Sequence, residues 1–324
     1  MLKAAQAVAD GVRLACSLVD RPPMDMTPTA LADAAKAVAV EIPGVVVSEH
    51  IVGENLRDKG YGGIWGVGKA GECPPSLLVL SYDPPGAIET VCLVGKGITY
   101  DTGGLSLKSK DGMPGMKHDM GGAAGMIGGF YAAAKLGCKQ RIHLILCIAE
   151  NAIGPTAFRN DDILTMFSGK TVGVPGRLVL GDGVAHATKL LRPNLVIDMA
   201  TLTGAQLVAT GKKHAGVLAN SEELERKAVA AGLRSGDFCF PLLYAPELLF
   251  PEFKSEVADM KNSVKDRGNA QSSCAGHFIE KHLAADYTGG WLHIDMAGPG
   301  TKDQRATGYG VGLVLALLDA PGFS

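Results

Sequence analysis

An α/β fold, with a mixed β-sheet sandwiched between helices, follows from three features of the 324-residue sequence. Short β-branched runs alternate with stretches of helical periodicity, an apolar share of 47% can fill a sizeable core, and the Pro/Gly clusters at 21–28, 84–86 and 298–301 have the size of loops, not linkers. Strands covered by helices on both faces read as continuous apolar runs. Helical periodicity opens the chain at about 3–19, and "TPTALADAAKAVA" (27–39) repeats it with Thr27 as N-cap and Pro28 at the first helical position. Strands are expected at "GVVVSEHIV" (44–52), "SLLVLSYD" (76–83), "TVCLVGKG" (90–97), "RIHLILCIAE" (141–150), "NLVIDMATLT" (194–203) and "GGWLHIDMAG" (289–298). Helices are expected at 118–136, 180–191, 221–233 and 271–284. The expectation is one domain over 1–324.

Composition narrows the partners. Lys plus Arg (31) balance Asp plus Glu (33), so no global field favours nucleic acid or an anionic membrane. Seven cysteines, an odd number without a C-x-x-C pair, read as reduced thiols. The N-terminus lacks the apolar core of a signal peptide, and no apolar run reaches the ~18 residues of a membrane span. The expected location is the cytoplasm, with an organelle interior as the other compartment.

The densest polar signal is "VGKGITYDTGGLSLKSKDGMPGMKHDMGGAAGM", Val94 to Met126. It starts on an apolar strand, carries Lys96, Asp101, Lys108 and Asp119, and runs into a small-residue helix. In a parallel sheet the carboxyl ends of strands are where ligands bind. Neither "GVGKAG" nor "GKGITYDTGG" has the G-x-x-x-x-G-K-[ST] spacing that cradles phosphates, and no G-x-G-x-x-G follows a strand into a helix. Two aspartates beside a lysine fit a divalent metal site, because carboxylate oxygens suit such cations and a neutral lysine amine can also ligate. The competing reading is two solvated loop aspartates in ion pairs with Lys96 and Lys108.

"VGKGITYDTGGLSLK" followed by "MKHDMGGAAGM" is very similar to the metal-binding core of the leucine aminopeptidase (cytosol aminopeptidase) family, dinuclear metallo-exopeptidases that remove N-terminal residues from peptides. The resemblance continues through "AENAIGP", "SGKTV", "GRLVLGDGV", "DMATLTGA", "SGDFCFPL", "VADMKNS", "SSCAG", "WLHIDMAG" and "ATGYGVGL". The wording of "GVGKA", "MPGMK" and "VADMKNS…QSSCAG" resembles most the branch called probable aminopeptidase-like. The resemblance implies the family's catalytic domain, with residues at about 1–20 forming its linker helix and the family's N-terminal domain absent. By the same resemblance Lys96 matches the lysine ligand of the tight metal position, Asp101 the aspartate bridging both metals, and Asp119 the aspartate of the tight position. Lys108 resembles the catalytic lysine that polarises the scissile carbonyl, and Arg177 the arginine that holds a bicarbonate. Met116, Thr201 and Gly204 match positions lining the pocket for the substrate's first side chain, with Leu202 offering backbone contacts.

One departure stands out. Family members read "TVE", two further residues, then "NTDAEGRL", whereas this chain reads "TVGVPGRL", five residues shorter. The aspartate and glutamate that complete the metal set are gone. The resemblance then leaves Lys96, Asp101 and Asp119 for one position and Asp101 alone for the other, so at most one divalent ion (manganese or zinc) per chain is expected, or none. Two-metal hydrolysis depends on both positions. Two readings follow: a metallo-aminopeptidase of greatly reduced activity acting on peptide N-termini, or a non-catalytic family member serving as structural subunit or peptide-binding scaffold. In either, Arg177 is expected to be a packing or capping group, and the resemblance implies self-association to a trimer or hexamer.

Other polar residues carry less. His118 and His293 fall near the site by sequence and read as satisfied structural histidines; no H-E-x-x-H exists. Cys274 has no identifiable histidine partner. Asp295 at a strand end can support the site from behind. Asp161, Asp162 and Asp182 are the carboxylates nearest the shortened loop.

Overall fold

The computed structural model describes residues 2–173, 177–262, 264, 266 and 268–323. The helices are α1 (Leu2–Asp20), α2 (Pro28–Glu41), α3 (Glu54–Asp58), α4 (Gly62–Gly68), α5 (Gly121–Lys135), α6 (Leu178–His186), α7 (Gln206–Ala209), α8 (Glu222–Ser235), α9 (Pro246–Leu249), α10 (Gln271–Glu280) and α11 (Val311–Leu317). The strands of the main sheet are β1 (Val45–Val52), β2 (Ser76–Tyr82), β3 (Thr90–Asp101) and β4 (Arg141–Asn151), then, past the short strands β5 (Ile163–Thr165) and β6 (Thr171–Gly173), β7 (Leu195–Ala200), β8 (Ala215–Ala219) and β9 (Cys239–Pro241). After the two-residue β10 (Met260–Lys261), which joins β5 and β6 in a small side sheet, β11 (Gly290–Asp295) completes the main one.

Among the described residues the main sheet has eight strands in the order β1-β2-β4-β3-β7-β11-β8-β9. The four central strands β4, β3, β7 and β11 run parallel, and the sheet turns antiparallel at β2 on one side and at β8 on the other. One apolar layer, built by α1, α2, α5 and α11, covers one face; α4, α6 and α10 cover the other. Burial on both faces accounts for the unbroken apolar runs of β2 and β3. The mixed sheet between helical layers is the fold the sequence predicts.

Helix α5 is made of small residues because it lies close against its neighbours. A Cβ on Gly128 would collide with the Gly11 carbonyl of α1, and one on Gly11 would meet the Gly128 carbonyl in return. Thr27 caps α2 as expected, its hydroxyl accepting from the Ala30 amide. The expected helix at 118–136 divides into a 3₁₀ turn, Met116–Met120, and α5. Strands β8 and β9 and helices α3, α4 and α11 did not emerge from the sequence; all are five to seven residues or shorter, and α4 reads "GGIWGVG", whose glycines disguise a helical turn.

Candidate functional site

The carboxyl ends of the four parallel strands lie side by side and deliver the polar groups. Asp101 ends β3 in register with Asn151 at the end of β4, and Ala200 at the end of β7 pairs with Asp295 at the end of β11. Strand β3 runs four residues beyond its expected end, so Asp101 belongs to the strand itself, after a register shift between Ile98 and Asp101. Lys96 lies five residues earlier on the same strand and is 4% exposed.

A tight loop returns Lys108 to Asp101. Gly103 and Gly104 both take positive φ (87° and 61°), a turn that side chains other than glycine's resist, and the Lys108 amide donates to the Thr102 carbonyl at 3.0 Å. The Lys108 ammonium then sits 2.8 Å from Asp101 Oδ2, while Asp101 Oδ1 accepts from Asn151 Nδ2 at 2.7 Å and from the Gly103 amide at 2.9 Å. Deeper in, Lys96 Nζ lies 2.7 Å from Asp119 Oδ1, which also accepts from the Thr201 hydroxyl at 3.0 Å; Asp119 Oδ2 is buried with no hydrogen-bond partner. The two aspartates are therefore paired with two lysines, as the competing reading of the sequence had it, but the Lys96–Asp119 pair is buried, not solvated.

Electrostatics separates the two acids. Burial pushes Asp119 up to about 6, against the pull of Lys96, and repulsion from Asp101 adds to the rise. Burial also works to raise Asp101, yet Lys96, Lys108 and the hydrogen bonds from Lys108 and Asn151 prevail and hold it below the usual carboxylate range. The set of one amine and two carboxylates, with one buried oxygen lacking a donor, suits a divalent cation held by hard or borderline ligands. Among the described residues no group of three or more His, Cys, Asp and Glu is arranged to hold a metal, so Lys96 is needed to make up three donors.

Lys96, Asp101, Lys108, Met116, Asp119, Thr201, Leu202 and Gly204 all line one cavity of about 650 Å³. Arg177 does not line it. It precedes α6, half-buried, with its Nη1 donating to the Asn262 carbonyl at 3.1 Å and no ion pair among the described residues. Burial lowers its pKa, with the charge of Asp295 the largest opposing influence. Residues 174–176 of the shortened loop lie outside the described residues.

One supporting group, Asn151, was missed, whereas Asp295 was expected to support the site from behind. Asn151 fixes Asp101; its place at a strand end beside β3 was the available signal. Asp295 accepts from the Leu202 and Ala297 amides (3.1 and 3.2 Å) and from the Thr203 hydroxyl at 2.6 Å, holding in place the loop whose Thr201 carbonyl accepts from Lys96 Nζ at 3.3 Å. Histidine satisfaction is only partial: His293 Nδ1 meets Asp198 Oδ1 at 2.5 Å, but its Nε2 and that of His118 are buried without partners. His118 lines the cavity, where burial lowers its pKa. Two of the three nearby carboxylates are committed elsewhere: Asp162 pairs with Arg159, and Asp182, pushed up to about 7 by burial, accepts from the Ile64 and Phe167 amides and so anchors α4.

The model of the cytosol aminopeptidase family's catalytic domain matches residues 13–315. The human protein named probable aminopeptidase NPEPL1 is 52% identical over 314 residues, 95% of this chain and 60% of that protein. Leucine aminopeptidase 1 of Caenorhabditis elegans is 45% identical over 319 residues, 96% of this chain and 64% of that protein. The solved structure of leucyl aminopeptidase from Trypanosoma brucei in complex with bestatin aligns with a TM-score of 0.95 and 49% identity, covering 98% of this chain and 62% of that one. The chain thus spans less than two thirds of the length of these relatives. Among the described residues no helix is long and apolar enough to cross a membrane. With the match running from residue 13 to residue 315 and the same fold shared at 49% identity, the chain belongs to the cytosol aminopeptidase family.

Proposed function

We propose that this chain is a leucine aminopeptidase-like metallo-exopeptidase domain with one working metal position and greatly reduced or no turnover of peptide N-termini. Lys96, Asp101 and Asp119 would hold at most one manganese or zinc ion. When bound, such an ion supplies Lewis-acid polarisation of a carbonyl. The observation that carries the reading is the unpartnered, buried Asp119 Oδ2 next to Lys96, with Asp101 fixed by Asn151 alongside. An oxygen left without a donor in a buried site costs stability unless something occupies it.

The chain's own residues supply the rest. Lys108 stands at the mouth of the cavity, 31% exposed, where its ammonium can shift from Asp101 to a substrate carbonyl. Met116, Thr201, Leu202 and Gly204 bound the space for an apolar first side chain. Arg177 serves packing at the start of α6, since it lies off the cavity and binds the Asn262 carbonyl. The reduced activity follows from the sequence: between Lys170 and Arg177 no carboxylate is present to complete a second metal position. The alternative, a non-catalytic scaffold, shares every one of these contacts and differs in turnover alone. Self-association to a trimer or hexamer belongs to both and is checked by light scattering.

Turnover of a leucine amide with excess manganese tests the proposal. The expected result is a rate at least a few orders of magnitude below that of enzymes of ordinary efficiency, because loss of a second metal removes several kcal/mol of transition-state stabilisation at about 1.4 kcal/mol per tenfold. An ordinary enzymatic rate, abolished in Asp101→Ala, would sink it.

A further inference from the structure

A second cavity, about 700 Å³, adjoins the first, with Gly204 lining both. One wall is apolar and open to solvent: Val208, Phe240 and Leu243 are 90%, 60% and 58% exposed. The floor is the N-terminus of the ten-residue helix α10, contributed by Ser272 and Ser273. Its N-cap is Ala270, which offers no side-chain oxygen, and the backbone amides of Ser272 and Ser273 have no acceptor among the described residues. Free amides at a helix start carry the positive end of the helix dipole.

A second observation is independent of the helix end. Ser273 is only 3% exposed, lines the cavity, and its hydroxyl has no hydrogen-bond partner among the described residues. The hydroxyl of its neighbour Ser272 is engaged, 2.9 Å from Thr203 Oγ1. The Ser273 oxygen therefore opens onto the cavity with its hydrogen-bonding capacity free for a ligand. Hydroxyl and amides together make a donor cluster aimed at an anion, beneath an apolar wall and next to a site suited to a peptide's amine.

We infer that the N-terminus of α10, with the Ser273 hydroxyl, receives the C-terminal carboxylate of a short apolar peptide whose amino end occupies the adjoining lysine–aspartate cavity. The inference rests on the proposed peptide-binding role of that cavity. An extended tripeptide spans roughly 10 Å, which suits two cavities that share a single glycine between them. The peptide's apolar side chains cover Phe240 and Leu243, and its carboxylate takes the donors that no described residue satisfies.

Calorimetry on the full chain with manganese present tests this with Leu-Gly-Leu, its C-terminal amide, N-acetyl-Leu-Gly-Leu and leucinamide. The free acid is expected to bind roughly tenfold more tightly than the amide, the difference expected of a charge-assisted contact at a helix start. Ser273→Asp, which keeps a good helix start but places its own carboxylate among the donors, should erase that preference, and Ser273→Ala should reduce it. Equal binding of acid and amide, or a preference that survives Ser273→Asp, overturns the inference while leaving the amine site standing. Ser273-dependent binding of the N-acetylated acid without any binding of leucinamide supports the α10 recess and counts against the amine site. Failure of all four to bind overturns both.

Discussion

The two sides of the site differ in how their charges are met. On the β3 side, Lys96, Asp101, Lys108 and Asp119 form two ion pairs, Asn151 and Thr201 complete the hydrogen bonding, and a single carboxylate oxygen is left over. On the α6 side, Arg177 is a half-buried cation with a backbone carbonyl for a partner and no carboxylate within ion-pair distance among the described residues. The first side is thus internally paired, and the second carries a cation without a carboxylate partner among the described residues. On the proposed reading, the contrast implies that one metal position can persist without the rest of the reaction machinery.

The largest test of that contrast is to restore the second side. Replacing Gly173–Pro175 by the longer acidic loop of the family is expected to raise turnover of a leucine amide at saturating manganese by roughly a thousandfold or more, several kcal/mol at 1.4 kcal/mol per tenfold. No gain in rate would mean that the β3 side is also broken.

Removing one cation from each side sharpens it. Lys96→Met leaves Asp119 buried without its partner and should cost about 3 kcal/mol in urea unfolding, near the cost of breaking a buried pair. Arg177→Met breaks no ion pair among the described residues and should stay within about 1 kcal/mol. Equal losses would show that Arg177 has an electrostatic role that its contacts do not reveal.

Acid should act through the α6 side. Burial lowers the pKa of His186, at the end of α6, to about 4, against 6.5 for an unperturbed histidine, and its Nδ1 lies 2.8 Å from the Tyr61 hydroxyl. Because the folded value lies below the unfolded one, the unfolded chain binds the proton first. The stability is therefore full above pH 6.5 and is lost as pH falls towards 4. At pH 5 the loss from this one group is about 2 kcal/mol. Unfolding measured at pH 7 and pH 5 checks it, and the difference should shrink in His186→Gln.

The smallest expected effect concerns the support behind the metal position. Asn151→Ala removes the 2.7 Å bond that orients Asp101 and should weaken manganese uptake about tenfold, the usual penalty for losing a partner behind a ligand. The fold should stay intact, since Asn151 closes β4 and lies outside the apolar layers.

Much of the frame was legible because strands covered on both faces advertise themselves: β2, β3, β4, β7 and β11 all correspond to apolar runs of the right length. The cavity residues from Lys96 to Asp119 and from Thr201 to Gly204 were legible too, since they follow strand ends where loops converge. Asn151 and Asp295 were harder to weigh, because their roles depend on which strands are neighbours, a long-range property that periodicity does not encode. The α10 recess was least legible of all. It depends on an alanine at an N-cap and a serine hydroxyl left without a partner, and both become visible only when the surrounding contacts are known.

Metal stoichiometry distinguishes a one-ion site from a two-ion site. After loading with manganese or zinc and dialysis, elemental analysis should find no more than one ion per chain, lost on prolonged dialysis and abolished in Asp119→Asn. Two tightly held ions per chain would contradict the account, because the β3 side offers one amine and two carboxylates and the shortened loop offers no acid.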